Sequence, residues 1–133
     1  MEIVIDTSAI LAVVGMAPER TELIRLTRGA TLVAPSSVHW EIGNALSAMF
    51  KRKAIEFDDA LKVLEGYASI PIRLLDTPLR QAVELSRNLN IYAYDAYVIA
   101  CAAIQRAPLL SLDRVLVERA RSLKLDVLEV TGS

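Results

Sequence analysis

The sequence has 133 residues, of which 53% are hydrophobic, and its 15 basic and 16 acidic side chains give a formal charge of −1. This length suits one domain with a normal core, and the composition excludes a disordered chain. A protein that holds nucleic acid mainly by charge is usually basic. The balance therefore argues against strong non-specific nucleic-acid binding, although it leaves room for a local basic patch.

The start of the chain and the single cysteine indicate the compartment. Glu2 and Asp6 interrupt the N-terminus before any apolar run long enough for a signal peptide. No apolar stretch approaches the ~20 residues needed to cross a bilayer. Cys101 lies in an apolar run and is expected to be a buried thiol, with no disulfide and no Cys/His zinc cluster. We therefore expect a soluble, cytoplasmic protein in which residues 1–133 form one domain.

Apolar periodicity and turn residues divide the chain into alternating strands and helices. The predicted elements, in chain order, are a strand at 3–5, helices at 9–14 and 19–28, a strand at 31–34, helices at 37–53 and 56–68, a strand at 71–75, a helix after Thr77, a helix at 94–106, a strand at 109–112, a helix at 114–123 and an edge strand at 126–130. This order predicts an α/β fold, a three-layer α/β/α sandwich around a central, mainly parallel sheet of four to five strands.

Several details of the helices also follow from the pattern. Ser36 or Ser37 is expected to cap the helix at 37–53, and Thr77 the helix that follows it. The helix at 94–106 is apolar almost all round, so it should be central. The helix at 56–68 should turn one apolar stripe inward, formed by Phe57, Ala60, Leu61, Leu64 and Ala68.

Four acidic residues stand where the apolar pattern predicts at least partial burial. Asp6 and Asp113 end two strands, Asp95 lies in the first turn of the most apolar helix, and Glu41 lies one turn into the helix from Ser37. Ligands of open α/β sheets bind beyond the carboxyl ends of the strands. Carboxylates placed together there resist ionisation unless a cation neutralises them. The sequence thus predicts a Mg²⁺ or Mn²⁺ site, whose typical chemistry is phosphodiester hydrolysis.

Three polar neighbours could support these acids. Ser111 lies two residues before Asp113, so both side chains should leave the strand on the same face. Its hydroxyl could hold a water or a metal-bound carboxylate in place. Ser8 in the first loop and Asn44 beside Glu41 could act in the same way.

Each of these residues also has a purely structural interpretation. Asp6, Asp95 and Asp113 could be helix caps, and Glu41 could be a solvated acid in a first helical turn. Ser111 could simply bond to nearby backbone. The predicted fold favours a joint site, because all four acids would meet at one end of a parallel sheet.

Four segments carry a family resemblance. They are Asp6-Thr7-Ser8-Ala9, Pro35 with Glu41-x-x-Asn44, Tyr94-Asp95-Ala96-Tyr97, and Leu110-Ser111-Leu112-Asp113. In this order and spacing, over nearly the whole chain, the sequence resembles the PIN domain and, more narrowly, the VapC-type toxins of bacterial and archaeal toxin–antitoxin pairs. The resemblance implies a Mg²⁺- or Mn²⁺-dependent endoribonuclease whose acidic cluster is Asp6, Glu41, Asp95 and Asp113. Ser111 stands where the family often has Thr, which keeps the hydroxyl.

The resemblance also implies two protein partners. One is a cognate VapB-type antitoxin whose C-terminal segment wraps the toxin and obstructs the site, and the other is a second copy of the chain. We expect the antitoxin groove near the helices at 19–28 and 38–53, with Trp40 and Phe50 as anchors. The dimer face is expected on the helices at 56–68 and after residue 77.

Two other functions stay open at this point. The first is a PIN-like nuclease that acts in RNA processing or on DNA, without an antitoxin. The second is a non-catalytic binding module of the same fold. Loss of one or more carboxylates usually marks such a module, whereas all four are present here.

Overall fold

A computed structural model describes residues 1–131, so the last two residues of the expected domain lie outside the described part. Residues 1–131 form four strands and seven helices: β1 (Glu2–Ile5), α1 (Thr7–Val14), α2 (Arg20–Thr27), β2 (Thr31–Pro35), α3 (Ser37–Lys51), α4 (Phe57–Ser69), β3 (Ile72–Leu75), α5 (Leu79–Leu89), α6 (Ala93–Gln105), β4 (Leu109–Leu110) and α7 (Arg114–Ser122). None of these seven helices combines the length and the apolar character needed to cross a bilayer.

The four strands form one parallel sheet in the order β3-β2-β1-β4. The predicted parallel sheet is therefore confirmed. β1 is an inner strand, and its last residue, Ile5, pairs with Leu110, the last residue of β4. Because the two strands end side by side, the residues that follow them, Asp6 and Ser111, emerge together at the carboxyl edge of the sheet.

Side chains that alternate along β1 face two separate cores. Ile3 and Ile5 pack among residues of α1, α2, α3 and α4, whereas Val4 packs among residues of α6 and α7. Leu85 and Leu89 of α5 join this second core. The helices thus cover both faces of the sheet and give the predicted three-layer α/β/α sandwich. The α6 prediction also holds, since residues 98–102 are all buried.

The chain near β4 is less regular than predicted. The strand expected at 109–112 contains only Leu109 and Leu110, because the Ser111 hydroxyl accepts a bond from the Asp113 amide and starts a turn. The edge strand expected at 126–130 is reduced to a single parallel bridge between Leu109 and Val127. A strand of two residues has too few backbone N–H and C=O groups to hydrogen-bond with a longer neighbouring strand.

The expected apolar stripe of α4 is largely wrong. Ala60 is buried as predicted, but its buried companion is Val63, whereas Phe57 is 65% exposed and Leu61 and Leu64 are also exposed. The reason is the close approach of α1, since a Cβ at Gly66 would lie only 3.1 Å from Val14 Cγ1. Small residues on this face of α4 let α1 pack against it. The larger apolar side chains are left on the outer side.

The predicted serine cap of α3 is right in position but makes no capping bond, and the predicted threonine cap of α5 is wrong. Ser36 occupies the N-cap position of α3 but makes no capping bond, because its hydroxyl donates to Asp76 Oδ1 at 3.0 Å. Ser37 is already the first residue of the helix. The N-cap position of α5 is held by Pro78, so Thr77 precedes it.

Candidate functional site

A cavity of about 240 Å³ opens at the carboxyl edge of the sheet, where β1 and β4 end. The four predicted carboxylates all line it, each from a different part of the chain: Asp6 after β1, Glu41 on α3, Asp95 on α6 and Asp113 after β4. The remaining wall is formed by Thr7, Ser8, Leu11, Val98 and Leu116. The structure therefore brings together the four acids that the sequence singled out.

Asp6 is the most buried of these acids, with 5% of its surface exposed. Its carboxylate caps α1, since the Ala9 amide donates to Oδ1 at 3.0 Å. The Ser8 hydroxyl lies 2.7 Å from Oδ1 and 2.9 Å from Oδ2, and the Ser111 hydroxyl donates to Oδ2 at 2.6 Å. An ionised carboxylate has about four acceptor positions. Three donors therefore fix Asp6 without using all of its capacity.

Ser8 and Ser111 join the loop after β1 to the loop after β4. The Leu112 amide donates to Ser8 Oγ at 3.0 Å, and the Asp113 amide donates to Ser111 Oγ at 3.0 Å. The two hydroxyl oxygens lie 3.4 Å apart. Each serine thus accepts from one loop while donating to Asp6 on the other, which places both where the sequence predicted supporting residues.

Replacing Ser111 by alanine should destabilise the fold. The buried Asp6 carboxylate would lose its 2.6 Å donor and the Asp113 amide would lose its acceptor. We expect the free energy of unfolding, measured by urea denaturation, to fall by about 1.5–3 kcal/mol. A Ser111→Thr control, which keeps the hydroxyl, should retain most of the stability. Wild-type stability of Ser111→Ala would contradict this role.

The structural alternative of a helix cap applies to Asp113 but not to Asp95. Asp113 Oδ1 accepts from the amides of Val115 at 3.0 Å and Leu116 at 3.2 Å, so it caps α7. The N-cap position of α6 belongs to Tyr92, and Asp95 lies inside the first turn. Asp95 therefore has no capping role that would explain its partly buried position at the cavity.

Three of the four acids have a pKa above the ordinary value. Burial raises the pKa of Glu41 and the charges of Asp6 and Asp95 raise it further, while the Thr7 hydroxyl partly offsets this. Burial also raises the pKa of Asp95, with added repulsion from Asp113 and Asp6. For Asp6, burial outweighs the hydrogen bonds that lower its pKa. The acids are therefore close enough to oppose one another's ionisation, which a bound cation would relieve.

Comparison with known proteins assigns the family. Residues 3–122 match the family model described as the PIN domain. The chain belongs to the PIN-domain family. This confirms the resemblance seen in the sequence. No curated protein matches the sequence.

Solved structures share the fold of this PIN domain at low sequence identity. PAE2754 from Pyrobaculum aerophilum is 20% identical, with 92% of this chain and 86% of that chain covered and a TM-score of 0.70. VapBC2 from Rickettsia felis, bound to a DNA fragment from its promoter, is 16% identical, with 97% and 98% covered and a TM-score of 0.68. FitAcB from Neisseria gonorrhoeae is 15% identical, with 96% of each chain covered and a TM-score of 0.60. At these identities, the likeness establishes the fold.

The donor set of this PIN domain fits a hard divalent cation. Only carboxylate and hydroxyl groups supply side-chain ligand atoms to the cavity wall, which suits Mg²⁺ or Mn²⁺. Within residues 1–131, no three acidic, histidine or cysteine side chains are close enough to hold one ion together. This spacing still suits Mg²⁺, which keeps several waters and is usually held by one or two carboxylates.

Thr7 is the residue of the cavity that the sequence did not single out. Its Oγ1 is buried in the wall and makes no hydrogen bond of ideal geometry, but it lies near enough to the Glu41 carboxylate to lower the pKa of that acid. The only signal in the sequence was its position between Asp6 and Ser8. Asn44, by contrast, is exposed and lies outside the cavity wall, so its supporting role stays a prediction.

Proposed function

We propose that this PIN domain, spanning residues 1–133, is a metal-dependent endoribonuclease and the toxin of a VapBC-type toxin–antitoxin pair. The observation that carries the proposal is the convergence of Asp6, Glu41, Asp95 and Asp113 on one cavity at the carboxyl edge of the sheet. A non-catalytic module would have no reason to gather four acids whose charges oppose one another there.

The four carboxylates would hold one or more Mg²⁺ or Mn²⁺ ions, one or two of them as direct ligands of an ion and the others through its bound waters. Bound there, such an ion supplies an activated water and neutralises the charge that develops at phosphorus. Asp6 is the rigid ligand, because three hydrogen-bond donors fix its carboxylate. Glu41 is partly buried and has a raised pKa, so it suits the role of accepting a proton from the attacking water. Ser111 and Ser8 position Asp6 through their hydrogen bonds to its carboxylate.

The partner proposals rest on exposed apolar surface. The predicted antitoxin anchors Trp40 and Phe50 are both exposed, as are Leu61 of α4 and Val83 of α5 on the helices predicted for the dimer face. Exposed apolar side chains that cluster mark interaction surfaces, and the Phe50 ring lies 6.4 Å, between centroids, from that of Phe57 on α4. Together with the likeness to VapBC2, this supports a VapB-type antitoxin and a second copy of the chain as partners.

Incubation of the purified protein with total cellular RNA tests the activity. In Mn²⁺ we expect discrete new RNA ends at a small number of sites, and in EDTA we expect none. Parallel reactions with single- and double-stranded DNA test the DNA-acting alternative. Undiminished RNA cleavage in EDTA would contradict the metal-dependent mechanism, and cleavage of DNA alone would replace the proposed substrate.

The toxin role has a separate test in cells. Expression of the chain should arrest bacterial growth, and co-expression of a small protein encoded next to it should restore growth. Growth arrest that needs the acids but is relieved by no neighbouring gene product would favour an RNA-processing nuclease without an antitoxin.

A further inference from the structure

A second groove, of about 400 Å³, lies beside the acidic cavity. Three aromatic side chains line it, Trp40 of α3 and Tyr94 and Tyr97 of α6, together with the polar groups of Ser37 and Asp76. We call it the aromatic groove. The acidic site described above uses none of these five residues.

The N-terminal parts of α3 and α6 contribute residues to both the aromatic groove and the acidic cavity. Trp40 directly precedes Glu41 on α3, and Tyr94 and Tyr97 lie on either side of Asp95 on α6. Glu41 and Asp95 both line the acidic cavity. A nucleic-acid strand with a phosphate at the acids would therefore bring a neighbouring nucleotide to the groove.

The aromatic rings are exposed and held in place. Trp40 is 68% and Tyr94 52% exposed. The Trp40 ring contacts the His39 ring edge-on, with centroids 4.9 Å apart. The Tyr94 and Tyr97 rings meet at 75° with centroids 6.1 Å apart, which forms an aromatic corner. Proteins that bind single-stranded RNA stack unpaired bases on exposed rings of this kind.

The polar groups of the groove favour a base over a phosphate. The Asp76 carboxylate would repel a phosphate, but it can accept a hydrogen bond from a base amino group. Ser36 already orients it, by donating to Asp76 Oδ1 at 3.0 Å.

We propose that the aromatic groove binds one unpaired base of the RNA, next to the phosphate that is cleaved. The base stacks on the rings of Trp40, Tyr94 and Tyr97, while the Asp76 carboxylate contacts its polar edge. The inference rests on the proposed ribonuclease function and adds a specificity site to it. It commits the groove to nucleic acid, which would compete there with the antitoxin proposed to use Trp40 as an anchor, and a second copy of the chain is the alternative occupant.

Trp40 is the single tryptophan of the chain, so its fluorescence reports directly on the stacking of a base against its ring. We would titrate the protein with hexaribonucleotides that carry one abasic residue at each position in turn, with Ca²⁺ replacing Mg²⁺ and with gels to verify that the RNA stays intact. The intact hexamer should quench Trp40. One abasic position should abolish the quench and weaken binding, measured by anisotropy, by about ten- to one hundredfold. Equal binding of every abasic hexamer without a change in Trp40 fluorescence would overturn the proposal.

Variants separate the base site from a contact between copies. Tyr94→Ala should weaken RNA binding about ten- to one hundredfold, whereas Tyr92→Ala, at an 88% exposed tyrosine outside the groove, should not. Sedimentation velocity, which distinguishes dimer from monomer, tests whether the groove is instead a contact between two copies of the chain. If Trp40→Ala and Tyr94→Ala turn a dimer into a monomer that binds RNA with wild-type affinity, the groove is an interface and the proposal is overturned.

The binding assay is independent of cleavage. Position-dependent quenching without cleavage in Mn²⁺ would count against the ribonuclease function and leave the base site standing. Cleavage in Mn²⁺ without any effect of the abasic residues would keep the ribonuclease function and reject the base site.

Discussion

Replacing Asp95 by asparagine is expected to reduce the rate of RNA cleavage in Mn²⁺ by about 10²–10³-fold. Asparagine has nearly the same size but lacks the charge that would hold the ion and oppose the charge at phosphorus. Asp95 caps no helix, so its loss should leave the fold intact. The rate is measured on a labelled RNA that contains one mapped site, under single-turnover conditions.

Asp58→Asn is the matched control for this variant. Asp58 is also an acid in the first turn of a helix, but it is exposed on α4 and remote from the cavity wall. Its replacement should leave the cleavage rate within about twofold, because surface substitutions away from such features have small effects. An Asp95→Asn protein that cleaves as fast as Asp58→Asn would remove Asp95 from the site. Asp6→Asn would be harder to interpret, because Asp6 also caps α1 and its replacement changes both the site and the stability of the fold.

The second large effect is stabilisation by a divalent cation at neutral pH. Burial and mutual repulsion raise the pKa of Asp6, Glu41 and Asp95 in the folded protein. The stabilising contribution of such a group is complete below its ordinary pKa of about 4 and is lost as the pH rises through the raised value. Wherever these groups are ionised, the metal-free protein therefore carries an unfavourable cluster of charges. A bound cation should reverse this effect.

Mg²⁺ or Mn²⁺ at about one hundred times its Kd should raise the free energy of unfolding by about 2.7 kcal/mol. For a chain of this length, that corresponds to a rise in Tm of about 5–15 °C at pH 7. The rise should shrink toward pH 5, where protons compete with the ion for the carboxylates. It should also be largely absent from Asp95→Asn. Thermal unfolding followed by circular dichroism gives these values, and an equal rise in NaCl of matched ionic strength would contradict the prediction.

The sequence predicted correctly that the four acids lie together, because local sequence patterns indicated the position of each one in its strand or helix. The apolar runs before Asp6 and Asp113 required buried strands, and parallel strands bring their carboxyl ends to one edge. Asp95 and Glu41 were placed by the periodicity of their helices. The pairing of Ile5 with Leu110, which puts Asp6 beside Ser111, is a tertiary contact that no local pattern specifies.

Where predictions from the sequence were wrong or incomplete, tertiary contacts decided the outcome. α4 carries apolar residues on two sides, and its packing against Val14 of α1 decided which side is buried. Thr7 was expected in the loop before the first helix, and only the tertiary fold places its buried hydroxyl in the cavity wall near Glu41. The aromatic groove joins residues of α3 and α6 that are more than fifty positions apart in the chain.

The most direct test of the account is a titration that follows Mn²⁺ binding and RNA cleavage in the same samples. Free Mn²⁺ is measured by electron paramagnetic resonance, and new RNA ends are measured on gels. The account predicts that the cleavage rate rises in proportion to protein-bound Mn²⁺ and that Asp95→Asn loses both. Cleavage at full rate before Mn²⁺ is bound, or unchanged Mn²⁺ binding and cleavage in Asp95→Asn, would contradict it.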